Sequence, residues 1–182
     1  MSFKFQKLEI PDLILIEPQI LRDERGFFTE IMKTNEFEKA GIKTTFAQLN
    51  HSKSSKGVLR GVHFQKKPMA QGKLVRVLEG EIFDVAVDIR RKSQYYGKYV
   101  SINLNEKDMK LIYIPEGFAH GFCVLSDTAQ IEYFCTNIYS PKDEGGIIYN
   151  DPDLNINWPI KNPLISSKDS KYGLFKDLDS GF

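Results

Sequence analysis

The chain has 182 residues, of which 41% are apolar and 27% are charged, and its formal net charge is +1. This composition is typical of a soluble globular protein that is large enough to bury a substantial core. A near-neutral chain excludes bulk attraction to nucleic acid or to an anionic membrane, so we expect neither partner, and any recognition of an anion must be local.

The cysteines and the N-terminal residues bear on the cellular compartment. Cys123 and Cys135 have no CxxC spacing, so two buried thiols in a reducing compartment are favoured over one disulfide. The N-terminal sequence MSFKFQKLEIPDL lacks the apolar core of a secretory signal, and no apolar run approaches the length of a membrane span. We therefore expect a cytoplasmic enzyme or binding protein.

The predicted elements are mostly short strands. The N-terminal run LEIPDLILIEP predicts a strand whose exposed edge could pair with a partner subunit, and residues 34–42 predict a short helix. Residues 73–89 contain two apolar runs that a Glu-Gly-Glu sequence separates, which predicts two strands joined by a hairpin-like turn. Further strands are predicted at residues 99–105, on both sides of a turn at 115–117, and at 129–140.

The spacing of these strands predicts the fold class. Many short strands at intervals of about 8 to 12 residues indicate an all-β sandwich or barrel with a few short helices. The sequence contains no internal repeat or low-complexity linker, so one domain is expected over residues 1–182. The Pro-, Asp- and Asn-rich segment 150–182 is interpreted as an ordered tail packed on the barrel.

One predicted strand, RGVHFQ, contains a histidine in its middle. Alternation places His63 and Gln65 on one face and Val62 and Phe64 on the other. Arg60 would face away from His63 in a regular strand, although a bulge or the start of the strand would change that. The pattern therefore leaves open whether His63 faces solvent or a site.

Each of the three histidines lies in a polar stretch: His51 in QLNHSKS, His63 in RGVHFQ and His120 in PEGFAHGF. A lone histidine is more often structural than catalytic, but three such stretches in one small β-domain favour a shared site. The imidazole pKa near neutrality suits proton abstraction.

The stretch PEGFAHGF fits the PxGxxH pattern of the second cupin motif, and cupins often bind a divalent metal. The HxH pair of the first cupin motif is missing, and Gln65 takes the position of its second histidine as a poor ligand. We therefore predict a cupin-like jelly roll with no metal site, in which His63 acts as a base.

Three other features have two interpretations each. Arg25 and Glu30, in RDERGFFTE, fit either a surface turn before an edge strand or a binding site. Lys73 lies in a predicted strand, where a lysine is uncommon unless it is solvated or functional. Tyr133 could be a buried tyrosine that needs a hydrogen-bond partner or a proton donor.

Six segments together resemble one family, dTDP-4-dehydrorhamnose 3,5-epimerase. They occur in family order from about Leu15 to Asp169, and six such matches are far more specific than one. The segments are RDERGFFTE, FAQLNHSKSSKGVLRGVHFQ, QGKLVRVLEGEIFDVAVDIRRKSQYYGKY, YIPEGFAHGFCVLSD, IEYFCTNIYSPKDEGGIIYNDPDLNINWP and ISSKD.

This resemblance implies a jelly-roll epimerase that needs no metal or cofactor and is usually a homodimer. Its implied substrate is dTDP-4-dehydro-6-deoxy-D-glucose, which is converted to dTDP-4-dehydro-L-rhamnose for dTDP-L-rhamnose biosynthesis. It assigns the catalytic histidine and tyrosine to His63 and Tyr133, and the aspartate that orients the histidine to Asp169. The implied contacts with the substrate are Arg25, Glu30, Gln48, Asn50, Arg60, Lys73, His120, Glu144 and Lys168.

The chemistry of the implied reaction fits these residues. The protons at C3 and C5 flank the C4 ketone and are acidified by it, so that removing either gives an enolate. We expect His63 to abstract the proton and Tyr133 to deliver one to the opposite face, while Asp169 fixes the His63 tautomer. Lys73 would stabilise the charge that develops on O4.

The diphosphate of the substrate accounts for a local basic cluster. Arg25, Arg60 and Lys168 can pair with phosphate oxygens, arginine in two-point contacts. Phe27 or Tyr139 could stack on the thymine or the sugar.

Three alternatives remain. The first is a single epimerase, at C3 or C5, or a ketoisomerase of a related nucleotide-linked 4-keto-6-deoxysugar, which would use the same His63 and Tyr133. The second is a non-catalytic sugar- or nucleotide-binding cupin, which would not need His63, Asp169 and Tyr133 together. The third is a metal-dependent cupin oxygenase or isomerase, which the missing HxH pair disfavours.

Overall fold

The computed structural model describes residues 3–182, most of which belong to strands and the loops between them. The one α-helix in this part of the chain, α1, spans Thr34–Lys39. The strands are β1 (Phe3–Lys7), β2 (Ile14–Pro18), β3 (Ile20–Asp23), β4 (Gly26–Thr29), β5 (Gln48–Ser55), β6 (Leu59–Gln65), β7 (Lys73–Glu79), β8 (Glu81–Asp88), β9 (Tyr99–Asn105), β10 (Leu111–Ile114), β11 (Phe118–Val124), β12 (Thr128–Cys135) and β13 (Glu144–Gly146).

These strands form two main antiparallel sheets. The six-stranded sheet has the order β1-β2-β10-β7-β12-β5, and the five-stranded sheet has the order β13-β6-β11-β8-β9. Strands β3 and β4 form a separate two-stranded hairpin. The predicted all-β class is therefore confirmed. Within residues 3–182, no helix has the length and apolar character that crossing a membrane requires.

The strands predicted in residues 73–89 are present as β7 and β8, but the predicted hairpin between them is wrong. Strand β7 pairs with β10 and β12, whereas β8 pairs with β9 and β11 in the other sheet. The turn at Gly80, where φ is +79°, carries the chain from one sheet to the other. A glycine turn between two apolar runs specifies a reversal of direction, but not whether the runs pair with each other.

Three other predicted elements differ from the structure, one in its place in the sheet and two in where they end. The predicted N-terminal strand contains β2, which is not an edge strand, because β1 pairs on one side of it and β10 on the other. The helix predicted for residues 34–42 ends at Lys39 and is followed by a turn. The strand predicted for 129–140 ends at Cys135, where the ladder with β5 and β7 stops.

The core lies between the two sheets and continues onto the outer face of the five-stranded sheet. Val75 and Val77 of β7 pack with Ile82 and Ala86 of β8 in the space between the sheets. On the outer face, the alternate residues Val85, Val87 and Ile89 pack with Val62 and Phe64 of β6. The segment after β13 covers this face through Leu154, Ile156, Trp158 and Phe175.

A bulge in β6 determines which way Arg60 faces. His63 pairs with His120 of β11, and Arg60 pairs with Phe122, so three steps along β6 match two steps along β11. The extra residue restores Arg60 to the same side as His63, and both side chains line one cavity. Gly61 lies inside this bulge with φ +124°.

Gly61 is expected to tolerate no side chain. A Cβ at this position would lie 2.5 Å from Gly121 Cα, whereas Gly26, which has the same φ, has nothing within 4 Å. Gly61→Ala therefore adds a steric clash to the cost of the backbone conformation, and Gly26→Ala incurs only the latter. We expect losses in the free energy of unfolding of about 3 kcal/mol or more and about 1 kcal/mol, respectively, by urea denaturation. Equal losses for the two variants would contradict the close approach of β6 and β11.

Candidate active site

A cavity between the two sheets contains most of the predicted site residues. It has two adjoining lobes of about 460 and 260 Å³, and His63, Lys73 and Tyr133 line both. The larger lobe also contains Arg60, His120, Lys168 and Asp169. The smaller lobe also contains Gln48, Asn50, Tyr139 and Glu144.

The three shared side chains come from both walls of the cavity. His63 belongs to β6 of the five-stranded sheet, whereas Lys73 and Tyr133 belong to the neighbouring strands β7 and β12 of the six-stranded sheet. A molecule bound between the sheets would therefore have His63 on one side and Tyr133 on the other.

His63 is fixed by Asp169, a residue from the C-terminal segment. His63 Nε2 lies 2.9 Å from Asp169 Oδ1, and the Gly61 N–H donates to the other oxygen, Oδ2, at 3.3 Å. Burial acts to raise the pKa of Asp169, but the hydrogen bonds from His63 and Gly61 outweigh it, so that this pKa lies below its ordinary value. Asp169 is therefore a buried carboxylate that accepts a hydrogen bond from the imidazole ring.

Tyr133 and Lys73 are paired in their strands through the backbone, but their side chains make no hydrogen bond or ion pair with any residue from Phe3 to Phe182. Burial raises the pKa of the Tyr133 phenol, so the side chain is protonated at neutral pH. Burial lowers the pKa of Lys73, and the neighbouring Cys135, Asp84 and Glu144 act in the opposite direction. Both groups are thus free to interact with a ligand, Tyr133 as a donor and Lys73 as a cation.

A second histidine–aspartate pair lies beside the first. His120 pairs with His63 across β6 and β11, and its Nε2 lies 2.8 Å from Asp84 Oδ2. Asp84 is completely buried, and its Oδ1 has no hydrogen-bond partner in the described part of the chain. Sequence reasoning missed Asp84 as part of the site, although an aspartate within the apolar run of β8 was a signal for it.

Glu144 is the centre of a hydrogen-bond network at the edge of the smaller lobe. Its Oε2 accepts hydrogen bonds from the Tyr139 hydroxyl at 2.5 Å and from Lys168, and its Oε1 accepts one from the Tyr172 hydroxyl at 3.1 Å. Burial acts to raise the pKa of Glu144, but the hydrogen bond from Lys168 and those from the tyrosines lower it overall. Tyr172 is a second residue that sequence reasoning missed.

The remaining polar side chains of the cavity are also fixed by neighbours. Arg60 donates from Nε to the buried Ser54 hydroxyl at 3.0 Å. Gln48 donates to Asn50 at 2.8 Å and accepts from the Tyr139 N–H at 2.7 Å. This pairing fixes the backbone of the loop that carries Tyr139.

The structure does not bring Arg25 and Glu30 into this cavity. Arg25 lies at the turn of the β3–β4 hairpin and is paired with Asp23, with 2.5 Å between Nη2 and Oδ2. Glu30 follows the hairpin, near Lys33, whose pKa is raised mainly by its hydrogen bond and charge interaction with Glu36 and further by the charge of Glu30. The hairpin is a separate small sheet, and its Phe27 and Phe28 are 55% and 62% exposed.

His51 also lies outside the cavity, so a site shared by all three histidines is wrong. Its ring nitrogen Nε2 lies 2.9 Å from the side-chain oxygen of Gln130, in an exposed position. Strand alternation explains this, because Asn50 and Ser52 face the cavity and His51, between them, faces outward.

Gln65, at the position of the second cupin histidine, has a structural role. Its amide nitrogen donates to the carbonyl oxygens of Met69 and Ile138, and its oxygen accepts from the Ser140 N–H. Among residues 3–182, no group of three or more histidine, cysteine, aspartate or glutamate side chains has a metal-binding arrangement.

Residues 7–177 match the family model described as dTDP-4-dehydrorhamnose 3,5-epimerase. A protein of that name from Shigella flexneri is 54% identical over 174 residues, which cover 95% of this chain and 96% of the relative. The chain belongs to this family.

Solved structures agree with this membership. A dTDP-6-deoxy-D-glucose-3,5-epimerase from Legionella pneumophila Philadelphia 1, in complex with dTDP-4-keto-L-rhamnose, superposes with a TM-score of 0.94. It is 45% identical, and the match covers 98% of this chain and 95% of that one. A 3'-monoepimerase from Streptomyces bikiniensis, in complex with dTDP-quinovose, is 32% identical with a TM-score of 0.89, over 94% and 87% of the two chains.

The predicted cupin-like jelly-roll fold and the predicted enzyme class are confirmed by these matches. The chain is an epimerase that acts at C3 and C5 of the dTDP-linked 4-keto-6-deoxy sugar in the dTDP-rhamnose pathway. The non-catalytic alternative is thereby disfavoured.

The Asp169–His63 pair should affect stability in a pH-dependent way. Asp169→Asn is expected to lower the free energy of unfolding by about 2 kcal/mol near pH 7. Because the folded pKa of Asp169 lies below its unfolded value of about 3.9, this contribution is present above about pH 4. It is lost as the pH falls through the folded pKa.

Urea denaturation of the wild type and the variant between about pH 7 and pH 3 measures this difference. The matched control is Asp153→Asn, which changes an exposed carboxylate. The difference in the free energy of unfolding between the wild type and Asp169→Asn should shrink on acidification. A difference that stays constant or grows would show that folding does not stabilise the charged form of Asp169.

Proposed function

We propose that His63 is the base and Tyr133 the acid in both epimerisations, with Asp169 as the residue that orients His63. The substrate would lie between the two sheets, with C3 and C5 directed to His63. The observation that carries this proposal is that His63 and Tyr133 line one cavity from opposite sheets. Inversion of a carbon centre requires removal of a proton from one face and delivery to the other, and two opposing walls supply both.

The configuration of the substrate supports one base for two carbons. In a D-gluco pyranose chair, the hydrogens on C3 and C5 are both axial and lie on the same face of the ring. A single imidazole on that face can therefore reach each in turn. The protonated phenol of Tyr133 would then deliver a proton to the opposite face.

We assign Lys73 to the developing enolate. C3 and C5 are both bonded to C4, so one cation near O4 stabilises the enolate formed from either side. Lys73 lies between the two lobes and has no ion-pair partner in the described residues, which leaves its ammonium free for this role. His120, held by Asp84 in the larger lobe, would contact the sugar from the same part of the cavity.

The nucleotide would be bound by the charged and polar groups around the sugar site. Arg60 and Lys168 are the cations of the cavity suited to the diphosphate, and Lys168 would exchange part of its bond with Glu144 for a phosphate oxygen. Gln48, Asn50 and Glu144 offer hydrogen bonds to the base and the sugar hydroxyls. The half-exposed ring of Tyr139 is available for stacking on the thymine.

We further propose a homodimer in which each subunit supplies Arg25 and Glu30 to the site of its partner. The β3–β4 hairpin carries two exposed phenylalanines, and its charged residues lie away from the cavity of their own chain. Docking of this hairpin on the partner would bury the phenylalanines and complete the predicted binding set. Exchange of the N-terminal strand would use β1, which is an edge strand of the six-stranded sheet.

We infer a cytoplasmic location from the cysteines. Cys123 and Cys135 are both buried free thiols in the structure. This is the form expected in a reducing compartment.

Solvent deuterium wash-in tests the reaction and its residues. In heavy water with dTDP-4-dehydro-6-deoxy-D-glucose, we expect deuterium at both C3 and C5 in the NMR spectrum of the sugar. His63→Ala should lose incorporation at both carbons and nearly all turnover, because general base catalysis contributes roughly 100- to 10,000-fold. Tyr133→Phe should exchange protons with solvent but form much less epimer.

Label at C3 alone would instead assign a single epimerase, the alternative that shares these residues. Wild-type turnover in His63→Ala would contradict the proposed base. As a matched control, His51→Ala removes a histidine that lies outside the cavity and should leave the incorporation unchanged.

Complementation between variants tests the shared site. Arg25→Ala and His63→Ala should each have low activity alone, but a mixture that exchanges subunits forms heterodimers with one intact site. We expect such a mixture to recover roughly a quarter of wild-type activity, since about half of the dimers are mixed. The double variant Arg25→Ala/His63→Ala, mixed with Arg25→Ala, provides the control and should recover nothing. Failure of the first mixture, despite subunit exchange, would place Arg25 in its own subunit's site or in none.

A further inference from the structure

Tyr172 is in contact with two parts of the site without lining either lobe of the cavity. Its ring packs edge-on against the His63 imidazole, with 5.6 Å between the ring centroids and 65° between the planes. Its hydroxyl donates to Glu144 Oε1 at 3.1 Å. The side chain therefore lies behind the proposed base and bonds to the carboxylate that holds Lys168.

The position of the Tyr172 ring is closely determined by the backbone around it. A Cβ at Gly146, in β13, would lie 2.5 Å from Tyr172 Cε2, so the ring occupies space that only a glycine leaves open. The adjacent Gly173 forms a bridge with Ile147, which directly follows Gly146. Tyr172 thus packs over Gly146 and beside His63, which is the residue paired with Gly146 across β13 and β6.

The short 3₁₀ helix Asp169–Lys171 links the two neighbours of His63. Asp169 opens this helix and bonds to Nε2 of the imidazole, while Tyr172 follows its last residue and contacts the ring edge. The Tyr172 N–H lies 3.4 Å from the Asp169 carbonyl oxygen, within the same turn. A hydrogen bond alone leaves a ring free to rotate about the bond axis, and a second contact on the ring restricts that rotation.

We propose that Tyr172 is a positioning residue that fixes the plane of the His63 ring and connects the base, through Glu144, to Lys168. This inference rests on the proposed function, because it takes His63 as the base and Lys168 as a phosphate contact. The two halves of the side chain have separate roles: the ring acts on His63, and the hydroxyl acts on Glu144.

This division predicts different kinetic effects for two substitutions. Tyr172→Phe keeps the ring and removes one hydrogen bond to Glu144, so KM for the nucleotide sugar should rise about fivefold and kcat should stay within about twofold of wild type. Tyr172→Leu also removes the ring contact, so kcat should fall by about tenfold or more, because small displacements of a catalytic group are costly. A kcat near the wild-type value in Tyr172→Phe, together with a reduced kcat in Tyr172→Leu, is the result expected if the ring positions His63.

Tyr96→Leu is the matched control for general loosening of the C-terminal segment. Tyr96 is not part of the C-terminal segment, but its ring packs on Phe175 of that segment with 4.9 Å between ring centroids. Tyr96 does not line the cavity. This variant should leave both kcat and KM unchanged. Calorimetry with dTDP alone measures the hydroxyl's effect independently of turnover, and the affinity should fall in Tyr172→Phe.

Several outcomes would overturn the inference. The role of the ring would be contradicted if Tyr172→Leu kept the wild-type kcat. It would also be contradicted if Tyr96→Leu or Tyr172→Phe lost as much kcat as Tyr172→Leu. An unchanged affinity for dTDP in Tyr172→Phe would remove the role of the hydroxyl. His63→Ala is assayed in parallel: its full activity would defeat the proposed base itself, whereas its inactivity beside a fully active Tyr172→Leu would defeat only this inference.

Discussion

The hydrogen bond between His63 and Asp169 is the interaction on which the arrangement of the site depends. Its two residues are 106 positions apart in sequence, one in the middle of a strand and the other in the C-terminal segment. The carboxylate can reach the imidazole only because the segment after β13 is held on the outer face of the five-stranded sheet by Ile156, Trp158 and Phe175. The apolar packing of this segment is therefore a requirement for the orientation of His63, the proposed base, and not only a contribution to stability.

The site-bearing strands were predictable, because alternation and apolar runs are local properties of a strand. His63, Lys73 and Tyr133 all lie in strands that the sequence pattern predicts, and Val62 and Phe64 face the core as expected. The pairing of strands was less accessible, since β7 and β8 look like a hairpin until their real partners in separate sheets are known. The side that Arg60 faces depends on a bulge, which the pattern allowed but did not specify.

The C-terminal residues of the site were the least predictable from physical patterns. Asp169 and Lys168 lie in a segment without periodicity, and only the resemblance to a family assigned them roles. Tyr172 acquires its position through Gly146 and the bridge at Gly173, which are contacts between segments distant in sequence. Asp84 differs, because a completely buried carboxylate in a largely apolar strand must be paired or functional.

The distribution of paired and unpaired charges suggests how the site distinguishes the transition state from the ground state. The buried carboxylates of Asp169 and Asp84 and the partly buried carboxylate of Glu144 each have a partner, whereas the described residues offer the Lys73 ammonium none. Burial disfavours the charged form of Lys73 in the free protein, and this lowers its pKa. A negative charge that develops on O4 would favour the charged form at the moment of proton abstraction. In the proposed mechanism, the interaction of Lys73 with O4 would therefore be stronger in the transition state than with the neutral ketone. A lysine already paired with a carboxylate would lack this difference, so the proposed role of Lys73 is consistent with its having no ion-pair partner among residues 3–182.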